Sequence, residues 1–283
     1  MAVDRRTELN LGTVQTETEV IETAGKRGPL AGLRTWIYPT IFLTALLIIW
    51  EIITRAELVP PYILPAPSAV VERLFSDWSI IWEHTWTTLQ EIVAGFFLGA
   101  VFGVLLALPI AYSSAFRNTI YPIIVSSQAV PKIAIAPLLV LWLGFGLWPK
   151  IVITALMVFF PVVVTSAEGF SSVDKGLLEL LRSVHAPRWQ VFSKISFPHA
   201  LPRIFAGLKI GITLAVVGAI VGEWVGADSG LGYLLVYANT FLDSTLLFSA
   251  LTVLVVLGIG LFIIVGGLER LVMPWKRQTT AQT

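Results

Sequence analysis

The stretch ELLRSVHAPRWQVFSKISFPHALP, residues 179–202, gathers Glu179, Arg182, His185, Arg188, Lys194 and His199 between two strongly apolar runs. Side chains of these types can do acid–base or ligand chemistry, so the question is what their spacing serves. Metal binding is a poor fit: His84, His185 and His199 are far apart or confined to this loop, and the sequence has no cysteine. The lack of cysteine also removes disulfides and thiol catalysis. No G-x-x-x-x-G-K-[ST] phosphate loop occurs, so the chain is not expected to bind and hydrolyse ATP itself. No Ser-His-Asp set and no paired carboxylates in a soluble segment point to an enzyme.

A second group of charges lies inside apolar runs, where an ionisable residue is a candidate functional site. Glu51, Glu91 and Glu223 fall near the ends of their runs and are expected to reach water there. Lys132 differs. It follows Pro131 and precedes Pro137, so the helix carrying it should be broken. Irregular backbone and a lysine at depth are tolerated only where they line a cavity or are buried in protein. Lys132 therefore lines a pathway, pairs with Glu223 or snorkels to the interface. Trp142, Trp148 and Trp224 suit an interfacial aromatic belt, and Trp224, beside Glu223, could also touch a solute. Pro131, Lys132, Trp142, Glu223 and Trp224 form the candidate pathway set.

The elements that must position these residues are membrane helices. The chain is 56% hydrophobic and only 13% charged, where soluble domains carry about 25% charged residues. Its net charge of +1 gives no reason to expect a nucleic-acid partner. A span needs about 20 apolar residues. Six runs qualify or nearly do: 36–54, 89–112, 119–143, 151–167, 204–225 and 246–272. Residues 1–35 read as a polar, disordered tail without a signal peptide, 36–275 as the membrane domain, and 276–283 as a second tail. With the N-terminus inside, the cytoplasmic segments hold fifteen Lys and Arg residues against three outside. Both termini and the polar loop are thus expected in the cytoplasm.

Smaller features fill in the bundle. Residues 64–78 begin with a Pro-rich turn and continue as an amphipathic helix, with Ser68 as a plausible N-cap. Residues 226–241 read as a glycine turn and a short helix. Gly95, Gly99 and Gly103 form one stripe, and Gly207, Gly211 and Ala215 another. Such stripes let backbones approach closely, within one subunit or between two. The polar loop divides into two short helices. Leu177, Leu178, Leu181 and Val184 share one face, Pro187 suits the first turn of the second helix, and Pro198 and Pro202 should end it. A hairpin with an apolar seam and a basic face could lie on a membrane surface or dock on a soluble partner.

The spacing of that hairpin resembles the signature of ABC-importer permeases: Glu-Ala-Ala, three residues, Gly, nine residues, Ile, one residue, Leu-Pro. Here Glu179-Leu180-Leu181 is followed by three residues, His185, nine residues, Ile195, Ser196, Phe197 and Pro198, with no gap. The segments PKIAIAPLLVLWLGFG (131–146) and GEWVGADSGLGYL (222–234) extend the resemblance over about 64–262. It implies an all-α membrane subunit that acts as a homodimer. The hairpin would seat on a cytoplasmic ATP-binding subunit that uses the ATP, and an extracytoplasmic solute-binding protein would deliver substrate. Glu179, Leu180, Leu181, Arg182, His185, Arg188, Ile195 and Pro198 would form the coupling loop, and the chain itself would bind no cofactor. Two departures stand out. Leucines replace both alanines, and His185 replaces the glycine, which needs a left-handed backbone, another turn geometry or a pH-sensitive contact to explain it. The same segments look closest to permeases for riboflavin or a thiamine-precursor pyrimidine, with taurine, sulfonate, nitrate and bicarbonate permeases sharing the framework. A secondary transporter working alone would be expected to show coupling carboxylates or inverted repeats.

Overall fold

The computed structural model describes residues 30–275, and the expected tails at 1–29 and 276–283 lie outside them. Residues 30–35, read from the sequence as part of the tail, are already helical: α1 runs Leu30–Arg55. It belongs to a unit of its own, Met1–Pro60, separate from Pro61–Thr283. Its side chains from Ile37 to Ile49 are exposed, as suits a helix whose solvent is lipid.

The second unit is all-helical among the described residues. In chain order it contains α2 (Pro67–Ser76), α3 (Trp78–Tyr112), α4 (Ser114–Ser127), a 3-10 turn (Lys132–Ile135), α5 (Ala136–Leu143) and α6 (Leu147–Ser171). There follow α7 (Lys175–Ser183), α8 (Arg188–Val191), a π turn (Phe192–Ser196), α9 (Phe197–Trp224), α10 (Leu231–Thr240) and α11 (Ser244–Val272). Among the described residues five helices are long and apolar enough to cross a membrane. The α4–α5 pair, bent by 87° at its break, makes a sixth span if counted as one. That break falls where Pro131 and Lys132 required it.

Helix α6 is the centre, packed along its length between α3 and α9. Glycines make this approach possible. A methyl group on Gly103 of α3 would stand 2.9 Å from Val162 Cγ1, one on Gly211 of α9 3.0 Å from Val158 Cγ1, and one on Gly218, further along α9, 2.7 Å from the Thr154 backbone. Both stripes are therefore used inside one chain, against the two sides of α6. Ile92, Phe96, Val158, Val162, Phe205 and Ile212 fill the space between them.

Three local expectations fail for identifiable reasons. Ser68 is not the cap of α2: Ala66 takes that position and Pro67 opens the helix, since proline has a preset φ and no N–H to leave unsatisfied. Pro187 precedes its helix rather than sitting in its first turn. Pro198 and Pro202 do not stop the second hairpin helix, and helical backbone continues from Arg188 to Trp224. The π turn at 192–196 ends two residues before Pro198 and widens the backbone over the turn that the proline ring would otherwise crowd.

Candidate functional site

The hairpin is built from strong local signals. The Asp174 side chain accepts the Leu177 N–H at 2.8 Å and so caps α7. At the other end the Ala186 N–H reaches the Leu181 carbonyl and the His185 N–H reaches that of Arg182, both at 3.0 Å. This pair of bonds is a Schellman closure, which requires a left-handed residue after the cap. His185 is that residue, at φ 56°. The glycine position of the signature thus keeps its geometry, with histidine bearing the strain.

Beyond the turn, Phe192 ties the hairpin to the bundle. Its ring stacks on Phe170 at the end of α6 (6.1 Å), meets Tyr112 at the end of α3 (6.4 Å) and touches Trp189 (5.8 Å). Among the described residues, helix α7 makes no extended contact with any other helix. Glu179, Arg182, His185 and Arg188 are exposed, while Leu181, Ile195 and Pro198 are half-buried. The exposed apolar set is Leu177, Leu180 and Val184, with Trp189 beside it at 72% exposure. Leu178, expected on that face, is half-buried instead.

At the opposite end of the bundle lies a polar cluster whose connections the sequence did not reveal. Glu91 and Glu223, expected from their positions to reach water, are buried instead. Lys150, which reads as a loop residue, occupies the first turn of α6 and holds Glu91 Oε1 at 2.8 Å. Glu91 Oε2 has no hydrogen-bond partner among the described residues. Glu223 accepts from the Thr88 hydroxyl (2.7 Å) and from the Gly232 N–H. Thr88 also accepts the Leu231 N–H (2.7 Å), and His84 Nδ1 accepts that of Gly230 (2.9 Å). Three successive N–H groups opening α10 are thereby satisfied by side chains of α3 and α9, answering the need every helix start has for partners. Gly230, at φ 113°, and Gly232 face the Glu223 carboxyl so closely that neither position has room for a side chain.

The candidate pathway residues are scattered by comparison. Lys132 is half-buried in the 3-10 turn, and its ammonium lies 4.7 Å from the centre of the Phe160 ring. It does not pair with Glu223, whose oxygens are committed to Thr88 and Gly232. Pro131, Trp142 and Trp224 are exposed. The two buried acids were legible only as ionisable residues in apolar runs; their partners lie 59 and 135 residues away.

The family described as binding-protein-dependent transport system inner membrane component matches residues 99–278, which take in the hairpin, α9 and the α10 turn. This chain belongs to that family. The permease is 37% identical to a formylaminopyrimidine transport permease of Halalkalibacterium halodurans, over 85% of this chain and 96% of the relative. It is 34% identical to a riboflavin transport system permease of Chloroflexus aurantiacus, over 83% and 89%. Identity to a taurine transport system permease of Escherichia coli is 30%, over 82% and 87%. A solved structure of the MetNI methionine ABC transporter in an inward-facing conformation aligns with TM-score 0.60 at 21% identity, covering 70% of this chain and 98% of that one. That likeness shows a shared fold. The permease is therefore a multi-pass membrane translocation subunit of the ABC-importer type, and its family is not one of catalytic chains.

Proposed function

We propose that the permease works as a homodimer in the cell membrane, with both termini and the hairpin in the cytoplasm. A separate ATP-hydrolysing subunit docks on the hairpin, and an extracytoplasmic binding protein delivers solute at the opposite end. The observation that carries this reading is the hairpin itself: a capped helix standing clear of the bundle, with Leu177, Leu180 and Val184 exposed, on a backbone continuous with a span. A leucine side chain fully removed from water contributes roughly 1.5–3 kcal/mol, so three of them suit a docking knob. Its rigid connection to α9 suits transmission of movement into the membrane.

The solute we assign is a vitamin-related heterocycle such as riboflavin or a thiamine-precursor pyrimidine. The relatives named for such solutes share more identity with this chain than the taurine permease does. Small anions such as taurine, alkanesulfonates, nitrate or bicarbonate are the second reading, favoured by Lys132, which has no carboxylate partner among the described residues. Lys132 is the residue we place on the pathway.

Deleting residues 177–184 tests the docking reading. The variant should insert in the membrane yet lose both co-purification of the ATPase subunit and uptake. Unchanged uptake in the inserted variant would remove that reading. A thermal-shift panel on the partner binding protein, covering riboflavin, the pyrimidine, taurine, ethanesulfonate, nitrate and bicarbonate, decides between the two solute classes.

A further inference from the structure

At the end opposite the hairpin, a cavity of about 510 Å³ opens between the α5–α6 and α9–α10 connections, lined by Phe145, Gly146, Lys150, Gly226, Ala227 and Asp228. We propose that it is a reception site for a planar, neutral or cationic nitrogen heterocycle, recognised by Phe145 and Asp228, and that it rejects anions. This proposal rests on the importer reading and narrows its solute class.

Size is the first support, since small-molecule pockets span about 300–1,000 Å³. The second is how Phe145 is mounted. It is 80% exposed and flanked by Gly144 (φ 77°) and Gly146 (φ 119°), around which nothing lies within 4 Å of a would-be Cβ. Its ring rests against bare backbone, because a methyl group on Gly226 would stand 2.8 Å from Phe145 Cε1. An aromatic ring on a two-glycine arm above a flat backbone surface is suited to clasp another flat ring. The chain is anchored just past the Gly226–Asp228 wall, where Gly230, Leu231 and Gly232 are fastened to His84, Thr88 and Glu223.

Charge decides the class. The lysine in the wall is already opposed by Glu91 at 2.8 Å, and its field also reaches Glu223. Asp228 is exposed and in no ion pair among the described residues. Among the lining residues the one ammonium is thus already paired, and the Asp228 carboxylate is not. A sulfonate would meet uncompensated negative charge there, whereas an aminopyrimidine N–H would find an acceptor in Asp228.

The absence of cysteine from the sequence makes a direct test possible. The variant Ala227→Cys is assembled with its ATPase subunit in proteoliposomes and labelled by a membrane-impermeant maleimide. The probes are 4-amino-5-hydroxymethyl-2-methylpyrimidine, riboflavin and ethanesulfonate. One of the two heterocycles, at ten times its dissociation constant, should slow labelling roughly tenfold, and ethanesulfonate should leave the rate unchanged. Adding Phe145→Ala or Asp228→Asn should abolish the protection while the ATPase still co-purifies. Protection by ethanesulfonate, protection by no probe, or protection that survives both substitutions overturns the proposal. A wild-type chain that retains no ATPase subunit would instead sink the importer reading, and the labelling reports on the cavity in either event.

Discussion

The Lys150–Glu91 pair joins α6 to α3 with side-chain exposures of 5% and 0%, so neither charge has water to fall back on. Removing one member of a buried pair costs about 3–5 kcal/mol, because the other is left buried without compensation. The two members should nonetheless differ. In Lys150→Met, Glu91 and Glu223 lose the one cation that both interact with, and the loss should fall in that range of about 3–5 kcal/mol. In Glu91→Gln, the ammonium keeps Glu223 within its field, and the loss should be nearer the value of one charged hydrogen bond, about 1.5–3 kcal/mol. The double variant Lys150→Met/Glu91→Met removes both members of the pair but leaves Glu223 without the cation, so it should recover only part of the Lys150→Met loss. Thermal unfolding in detergent reads this as an ordered series, at ~2–4 °C per kcal/mol for a chain of this size. Equal melting temperatures for the two single variants would refute the role given to Glu223. A double variant less stable than Lys150→Met would refute the claim that the pair is costly to break and cheap to replace.

Other expectations concern the hairpin and the helix contacts. His185→Gly should relieve about 1 kcal/mol of left-handed strain at the Schellman position and leave ATPase docking intact, as co-purification and hydrogen exchange over residues 175–186 would show. Glu179→Ala should weaken coupling, seen as reduced uptake per ATP hydrolysed with the protein still inserted; an unchanged ratio would place Glu179 outside the contact. Lys132→Met should raise the KM of uptake or lower its rate while ATPase docking persists, and normal kinetics would make the residue structural. Gly218→Val should prevent stable folding, because its side chain would have to enter the Thr154 backbone; a monodisperse, full-yield variant on size exclusion would contradict the packing described.

The hairpin was legible because its signals are local. Asp174 sits three residues before Leu177, the leucines repeat at helical spacing, and histidine is among the residues that tolerate positive φ. The break at Pro131 was legible for the same reason. The Lys150–Glu91 contact was not, since nothing in the neighbourhood of either residue records a partner 59 positions away. Near the end of an apolar run, a carboxylate bound for water and one bound for a buried lysine look alike. Pro198 and Pro202 misled in the opposite direction: the stop signal is valid for an isolated helix, but Ala200, Leu201, Ile204 and Phe205 are buried in the bundle and hold the chain helical past both. The rest of the far-end cluster depends on backbone N–H groups of a turn, which carry no sequence identity at all.

The π turn at 192–196 also has a consequence for how the two ends of the longest helix are aimed. A single-turn π bulge is an α-helix with one extra residue accommodated. Taking that residue out, or letting the turn relax to α spacing, would turn everything before it by about 100° and draw it in by about 1.5 Å. The face carrying Trp189 would then point a quarter-circle away from its present direction, although every residue would still be helical. A one-residue deletion here is thus a compass error rather than a break. Circular dichroism would miss it, and a cross-link from position 189 to the ATPase subunit we propose would not.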